Sequence, residues 1–156
     1  MRYAAQTMVS SERSKAEIES TLNRYGATAF GYATNGASAQ IQFQAGGKKI
    51  RFVLPLPNRD DFKMKTDGRS DTPREQSPER AYADWEQACR QKWRALALVV
   101  KAKLEAVASE ITTLEQEFMA HIVLPNGKTA GQHFLPGIDK AYIDGKVPAM
   151  GWEGCS

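Results

Sequence analysis

The chain has 156 residues, of which 42% are hydrophobic and 25% are charged, a composition typical of a single globular domain spanning 1–156. Its formal net charge of +3 permits contact with nucleic acid or with an acidic protein, but falls short of a polybasic tail. The two cysteines, Cys89 and Cys155, form no short-spaced pair, which favours a reducing cytoplasm. No apolar run reaches the roughly 20 residues of a membrane span and no signal-peptide pattern opens the chain, so we expect no membrane association.

The N-terminal third predicts a short helix followed by a three-stranded antiparallel meander. Ser10 is placed to begin the helix and Gly26 to end it in a left-handed cap. Turn signals at Asn35-Gly36 and Gly46-Gly47 then separate three segments that alternate apolar and polar residues until Pro55. One face of this meander should be apolar, and the other should present to solvent or to a partner the residues Gln40, Gln42 and Gln44.

A long amphipathic helix is predicted from Ser77 to about Phe118, with Thr112-Thr113 marking a potential break and restart. Its core-facing stripe consists of Tyr82, Trp85, Cys89, Trp93, Leu96, Val100, Leu104, Val107, Ile111, Leu114 and Phe118. Residues on its far side are also apolar, namely Leu98, Val99 and Ala102. A second cover is therefore expected, from the first helix, the C-terminal segment or another subunit, and we favour a homo-oligomer.

Two further segments complete an α+β fold. Residues 58–76 are polar and mixed in charge, which predicts a flexible loop that is either a functional flap or a tolerated linker. The segment from His121 to Lys128 is typical of a short strand and a tight turn. Leu135-Pro136 is placed to open a last helix, which Gly145 would close.

The sequence contains no motif for a metal or a cofactor. It has neither a CxxC nor an HxxxH spacing, and Gly46-Gly47-Lys48-Lys49 lacks the pattern of a phosphate-binding loop. His121 or His133 is the candidate general base if the protein is an enzyme, but neither lies in a nucleophile motif. We therefore expect no cofactor, no metal and no catalytic residue, while an enzyme that acts on nucleic acid stays open as a rival.

Basic residues give the clearest functional signal. Lys48, Lys49 and Arg51 cluster at the second hairpin, and three more bases occupy one side of the long helix. The helix set is Arg90, Arg94 and Lys101. Phe30 and Tyr32 could supply stacking next to the glutamines, as sheet surfaces do for single strands. The alternative is that these two rings share the buried face and that the bases merely flank an amphipathic helix.

Five stretches of the chain resemble a family of conserved proteins of tailed bacteriophages and prophages. They are SSERSKAEIESTLNRYGATAF, GKKIRFVLPLP, RQKWRALALVVKAKLEAVASEI, FMAHIVLPNGKTAG and GKVPAM. The resemblance implies a phage protein that acts in the host bacterial cytoplasm, and it transfers no catalytic motif. We accordingly expect an accessory protein that binds nucleic acid, most plausibly single-stranded DNA, in phage replication or recombination. The alternative is a protein-binding inhibitor of a host factor or of an anti-phage defence complex.

Overall fold

A computed structural model describes the backbone of residues 2–66 and 68–148, and the side chains from Ser11 onward within those ranges. The α+β class predicted from the sequence is confirmed. In chain order the elements are α1 (Arg2–Arg24), β1 (Thr28–Thr34), β2 (Ser38–Ala45), β3 (Lys48–Pro55), β4 (Met64–Lys65), β5 (Arg74–Glu75), α2 (Pro78–Ala108), α3 (Leu114–Phe118) and α4 (Ala130–Asp144). Short 3-10 turns occupy Arg59–Phe62 and Met119–His121.

The first three strands form an antiparallel sheet in the order β1-β2-β3. The β2–β3 turn has positive φ at both Gly46 and Gly47, as a type I′ hairpin requires. In the β1–β2 turn only Gly36 has a positive φ, and the Asn35 side-chain oxygen accepts hydrogen bonds from the backbone of Ala37 and Ser38. Both hairpin turns predicted from the sequence are thus confirmed, and they fix the strand register.

Helices α1 and α2 lie on one face of the sheet and run parallel to each other. Their direction follows from two contacts: Lys15 of α1 lies over the Trp93 ring of α2, and Tyr25, directly after α1, hydrogen-bonds Glu105 farther along α2. One hydrophobic core joins the layers, with Ile18 from α1, Phe43 from the sheet and Val100 from α2 all at most 1% exposed. The domain therefore has two layers, and no helix within residues 2–66 and 68–148 lies on the outer face of the sheet.

The predicted boundaries of α1 and α2 need correction. α1 begins at Arg2 rather than Ser10, and α2 ends at Ala108 rather than Phe118. Glu110 has a φ of 60°, and the Ile111 N–H donates to the carbonyl of Ala106, a hydrogen bond of the Schellman type. This reversal leaves Ile111, a predicted core residue, 80% exposed.

The restart predicted at Thr112-Thr113 is confirmed as a capping box. The Thr113 hydroxyl accepts from the Gln116 N–H, and the Gln116 side chain accepts from the Thr113 N–H. The new direction of α3 carries Phe118 into the core, where its ring meets Phe43 and Phe52 edge-on at centroid distances of 6.0 and 6.1 Å.

The C-terminal part also departs from the expected boundaries. The expected strand after His121 is reduced to two isolated bridges, Ile50–Ile122 and Val123–Thr129. α4 begins at Ala130, not at Leu135-Pro136, because Thr129 and Gln132 form a second capping box. Pro136 therefore lies inside the helix, while Gly145 ends it in the left-handed conformation, as predicted.

Residues 58–76 contain more structure than the predicted loop. The 3-10 turn Arg59–Phe62 is followed by the two-stranded ladder of β4 and β5. Trp85 anchors the start of this segment, because its indole N–H donates to the Pro57 carbonyl at 2.8 Å. The Gln76 side chain donates to the Phe62 carbonyl at 2.6 Å and closes the segment against α2.

Candidate nucleic-acid interface

The open side of the sheet forms a grid of three strands by three residues, which we call the outer sheet face. Strand pairing aligns its rows as Thr28–Gln44–Lys49, Gly31–Gln42–Arg51 and Ala33–Gln40–Val53. The three glutamines thus form its central column, as the alternation of β2 predicts. The grid contains two cations, three amides and no carboxylate.

The predicted basic hairpin cluster divides between the two faces of the sheet. Lys49 and Arg51 belong to the outer sheet face, whereas Lys48 shares the inward side with Ile50 and Phe52. The Lys48 ammonium lies 2.9 Å from a carboxylate oxygen of Glu115 in α3. The hydrogen bond from Lys48 holds the pKa of Glu115 below its usual value. Lys48 therefore belongs to a surface ion pair that joins α3 to the sheet.

Arg51 is held in place on the outer sheet face by neutral acceptors. Its Nε and one terminal nitrogen donate to Gln42 Oε1 at 3.4 and 3.3 Å. Its other terminal nitrogen donates to the Gly127 carbonyl at 2.8 Å. A guanidinium has five N–H donors, so these three bonds leave two for a ligand. Lys49, one row away, is exposed and forms no ion pair with any residue that the structure describes.

The fold brings Lys128 close to Arg51, at the edge of the sheet formed by β3. The sequence alone did not indicate this residue. The Val123 N–H donates to the Lys49 carbonyl at 2.8 Å, which fixes the turn of residues 125–128 beside β3. Lys128 directly follows Gly127, the acceptor for Arg51, and its side chain is exposed. The PNGK sequence signals a turn, but only the tertiary contact with β3 shows which surface the turn extends.

The aromatic residues considered for stacking do not lie on the outer sheet face. Tyr32 is paired with Ile41, whose side chain is fully buried, and so points to the helix side. The Lys15 ammonium covers its ring at 4.2 Å from the centroid. Phe30 packs beside Tyr32 and against the core. The two rings therefore do not lie beside the glutamines: both are on the inward side of the sheet, where Phe30 is half-buried and Tyr32 remains 47% exposed.

The helix bases lie on the other layer of the domain. At about 100° per residue, Arg90, Lys101 and Arg94 project about 60°, 80° and 100° from Trp93, the middle of the buried stripe of α2. Arg94 and Lys101 are exposed, and Arg90 is half-buried. Since α2 packs against the inner face of the sheet, these bases do not extend the outer sheet face.

The candidate catalytic residues have other environments. His121 is half-buried and stacks on Phe52 at a centroid distance of 4.0 Å. Burial, with a smaller effect of the Lys103 ammonium, lowers its pKa. His133 lies 3.4 Å from the Asn126 amide. Residues 2–66 and 68–148 contain no group of three His, Cys, Asp or Glu side chains that could hold a metal ion.

Cys89 packs in the interior, as predicted. Its side chain lines a cleft of about 330 Å³ between α1 and α2, together with Trp85, Trp93 and Lys15. Burial, and to a lesser extent the neighbouring Glu86, raises the pKa of the thiol. A raised pKa keeps the sulfur protonated, which is the opposite of what an activated nucleophile needs.

Among the described residues no helix has the length and hydrophobicity of a membrane span. Comparison of the chain with protein-family models, with curated proteins and with solved structures gives no match.

Proposed function

We propose that this protein binds nucleic acid through the outer sheet face, with single-stranded DNA as the preferred form. The observation that supports this most directly is the composition of the grid, where Lys49 and Arg51 lie beside a column of glutamine amides with no carboxylate. Phosphate contacts supply most of the affinity in such complexes, and they require cations free of competing acids.

Arg51 is the central residue of the proposed site. Its hydrogen bonds to Gln42 and Gly127 fix the guanidinium before a ligand arrives, so less side-chain entropy is lost on binding. Its two remaining N–H donors can meet phosphate oxygens. Lys49 in the next row and Lys128 next to Gly127 add two exposed ammonium groups near it.

The preference for a single strand follows from the shape of the face. The major groove of a duplex admits a helix or a two-stranded ribbon, whereas this sheet has three strands and is flanked by residues 121–123. The column of glutamine amides can hydrogen-bond the edges of unpaired bases. Because the grid contains no aromatic ring for stacking, phosphate contacts should supply most of the affinity, and we expect binding to be sensitive to salt.

The resemblance to phage and prophage proteins supports a role in phage replication or recombination, in the cytoplasm of the host. The alternative function is that of a protein-binding inhibitor of a host factor or of an anti-phage defence complex. If the protein is monomeric, the exposed Leu98 and Val99 on α2 favour this alternative, because such a patch would need a partner. It predicts a foreign protein partner that stays bound after nuclease treatment.

The test is a fluorescence-anisotropy titration of labelled single-stranded and duplex DNA across a salt series. Lys49→Ala and Arg51→Ala should each weaken binding and reduce the slope of log K against log salt by about 0.7, the value for one phosphate contact on a single strand. Lys48→Ala is the matched control, since it removes the same charge from the same strand but from the inner face.

Three outcomes would contradict the proposal. They are an absence of binding by the wild-type protein at low salt, equal losses for Lys48→Ala and Lys49→Ala, and tighter binding to duplex than to single strands. A thermal melt of each variant separates loss of contact from loss of fold, because Arg51 also bonds Gln42 and Gly127.

A further inference from the structure

Two helices carry apolar surfaces that no described part of the chain covers. On α2, Leu98 is 60% exposed and Val99 is 43% exposed, and the exposed Ala95 and Ala102 lie between them around the helix. At about 100° per residue these four residues fall about 140° to 240° from Trp93, opposite the core. We call them the α2 outer face.

α4 carries the second surface. Leu135, Ile138 and Tyr142 are 53%, 38% and 89% exposed and fall within about 60° of one another around the helix. This spacing makes one apolar stripe, which we call the α4 stripe. In a soluble protein such a stripe is normally buried against another element.

α4 is fixed to the domain by its first turn. The Ala130 N–H donates to the Ile122 carbonyl at 2.8 Å, and Ala130 is the buried residue of this helix. Gly131 lies so close to the 3-10 turn that an added Cβ would be 2.9 Å from the Ala120 carbonyl oxygen. The rigid attachment directs the rest of α4, with its apolar stripe, away from the core.

The two surfaces are complementary in shape and in charge. The α2 outer face has small alanines at positions seven residues apart, which leave room for the large side chains of the α4 stripe. Arg94 and Lys101 flank it on one side. Asp139 flanks the α4 stripe, about 40° beyond Leu135. Asp139 can therefore pair with Arg94 or Lys101 across such a contact, on a margin of the α2 outer face that also carries Glu105.

We propose that the protein forms a twofold dimer in which the α4 stripe of each copy packs on the α2 outer face of the other. Both halves of the contact are present on one chain and remain exposed within it, so a second copy is the partner that fits. Reciprocity also doubles the buried area. A stable interface typically buries roughly 1,200 Å² or more in total, so two reciprocal helix contacts favour a dimer more than a single contact does.

The first test is sedimentation velocity of the full chain at concentrations well above micromolar. The wild-type protein should be a dimer, and Leu98→Asp and Ile138→Asp should each be monomeric. Ile111→Asp is the matched control, because Ile111 is 80% exposed but lies outside both surfaces, and it should remain a dimer. A monomeric wild-type protein, or a Leu98→Asp variant that stays dimeric, would overturn the proposal.

Mixing the two monomeric variants tests the pairing of the surfaces. A Leu98→Asp copy still offers an intact α4 stripe, and an Ile138→Asp copy still offers an intact α2 outer face, so the mixture should contain heterodimers with one restored contact. Contacts between two α2 helices or between two α4 helices would show no such rescue, and its absence overturns this geometry. A charge exchange tests the pairing independently. Asp139→Lys and Lys101→Glu should each weaken the dimer, and the double variant should regain the wild-type stability of the dimer.

Discussion

At the scale of single residues, His121 couples the stability of the fold to pH. Its imidazole stacks on Phe52, and burial together with the Lys103 ammonium lowers its pKa, although a hydrogen bond to the Arg51 backbone opposes the shift. The unfolded chain therefore binds the proton more readily than the folded one. Stability is complete above the unfolded pKa of about 6.5 and falls as the pH drops toward the lower pKa of the folded state.

We predict that His121→Phe reduces this loss of stability as the pH falls below about 6.5. Phenylalanine keeps a ring against Phe52 but does not titrate. The measurement is the melting temperature as a function of pH. A His121→Phe variant with the full acid-induced loss would assign the effect to other groups.

Glu86 carries a buried carboxyl group whose hydrogen-bonding capacity is not fully satisfied. It is 3% exposed within the core-facing side of α2, and its Oε1 has no hydrogen-bond partner in the part of the chain that the structure describes. Leaving such an atom unpaired costs about 1–3 kcal/mol. The residue therefore lowers the stability of the core against which α2 packs.

We predict that Glu86→Leu raises the free energy of unfolding by about 1–3 kcal/mol, measured by urea denaturation. Glu19→Leu is the comparison, since Glu19 is exposed on α1, and it should change stability by less than about 0.5 kcal/mol. A less stable Glu86→Leu protein would mean that the carboxylate makes an interaction on which the fold depends.

At the scale of elements, the end of α2 depends on one residue in an unfavourable conformation. Glu110 has a φ of 60°, a region that costs a side-chain-bearing residue about 1–2 kcal/mol. The sequence offered no glycine to mark this end, and Ile111, Leu114 and Phe118 continue the helical spacing. Periodicity therefore overran the true boundary by ten residues, from Ala108 to Phe118.

Glu110→Gly should stabilise the protein by about 1 kcal/mol, because glycine adopts the left-handed conformation freely. Glu110→Ala removes the carboxylate but keeps the Cβ, and should bring no such gain. Urea denaturation of the two variants side by side distinguishes backbone strain from the loss of a charge. Equal stabilities for the two variants would contradict the strain argument.

At the scale of the whole molecule, the layers separate the two proposed surfaces. The outer sheet face lies on one side of the domain and the α2 outer face on the opposite side, with the core between them. A dimer formed through the helices therefore leaves both sheet faces open. Two linked sites on one long strand bind more tightly than one, without any new contact.

If both proposals hold, Leu98→Asp should lower the affinity for a single strand of about 40 nucleotides at least tenfold, and leave the affinity for one of about 8 nucleotides unchanged. The measurement is anisotropy with the two oligonucleotides. Equal losses of affinity for the two oligonucleotides would show that Leu98 affects the nucleic-acid site itself. Unchanged affinity for both oligonucleotides would show that dimer formation does not contribute to DNA binding.

Much of the fold was predictable because the signals are local. The paired glycines of the β2–β3 turn, the alternation of β2 and the Ser77 cap of α2 each act within a few residues. The candidate site was predictable only in part. Period-two alternation places Lys49 and Arg51 together and Lys48 opposite, yet chain proximity had grouped all three.

The sequence by itself determined the α+β class, the two hairpin turns, the glutamine column and the core stripe of α2, since periodicity and turn chemistry are properties of short segments. Only the tertiary structure decided that Lys128 joins Arg51 at the edge of β3 and that Lys15 lies over the ring of Tyr32. Those outcomes depend on contacts between residues far apart in the chain. Such contacts form only when burial of one common core orients every element at once.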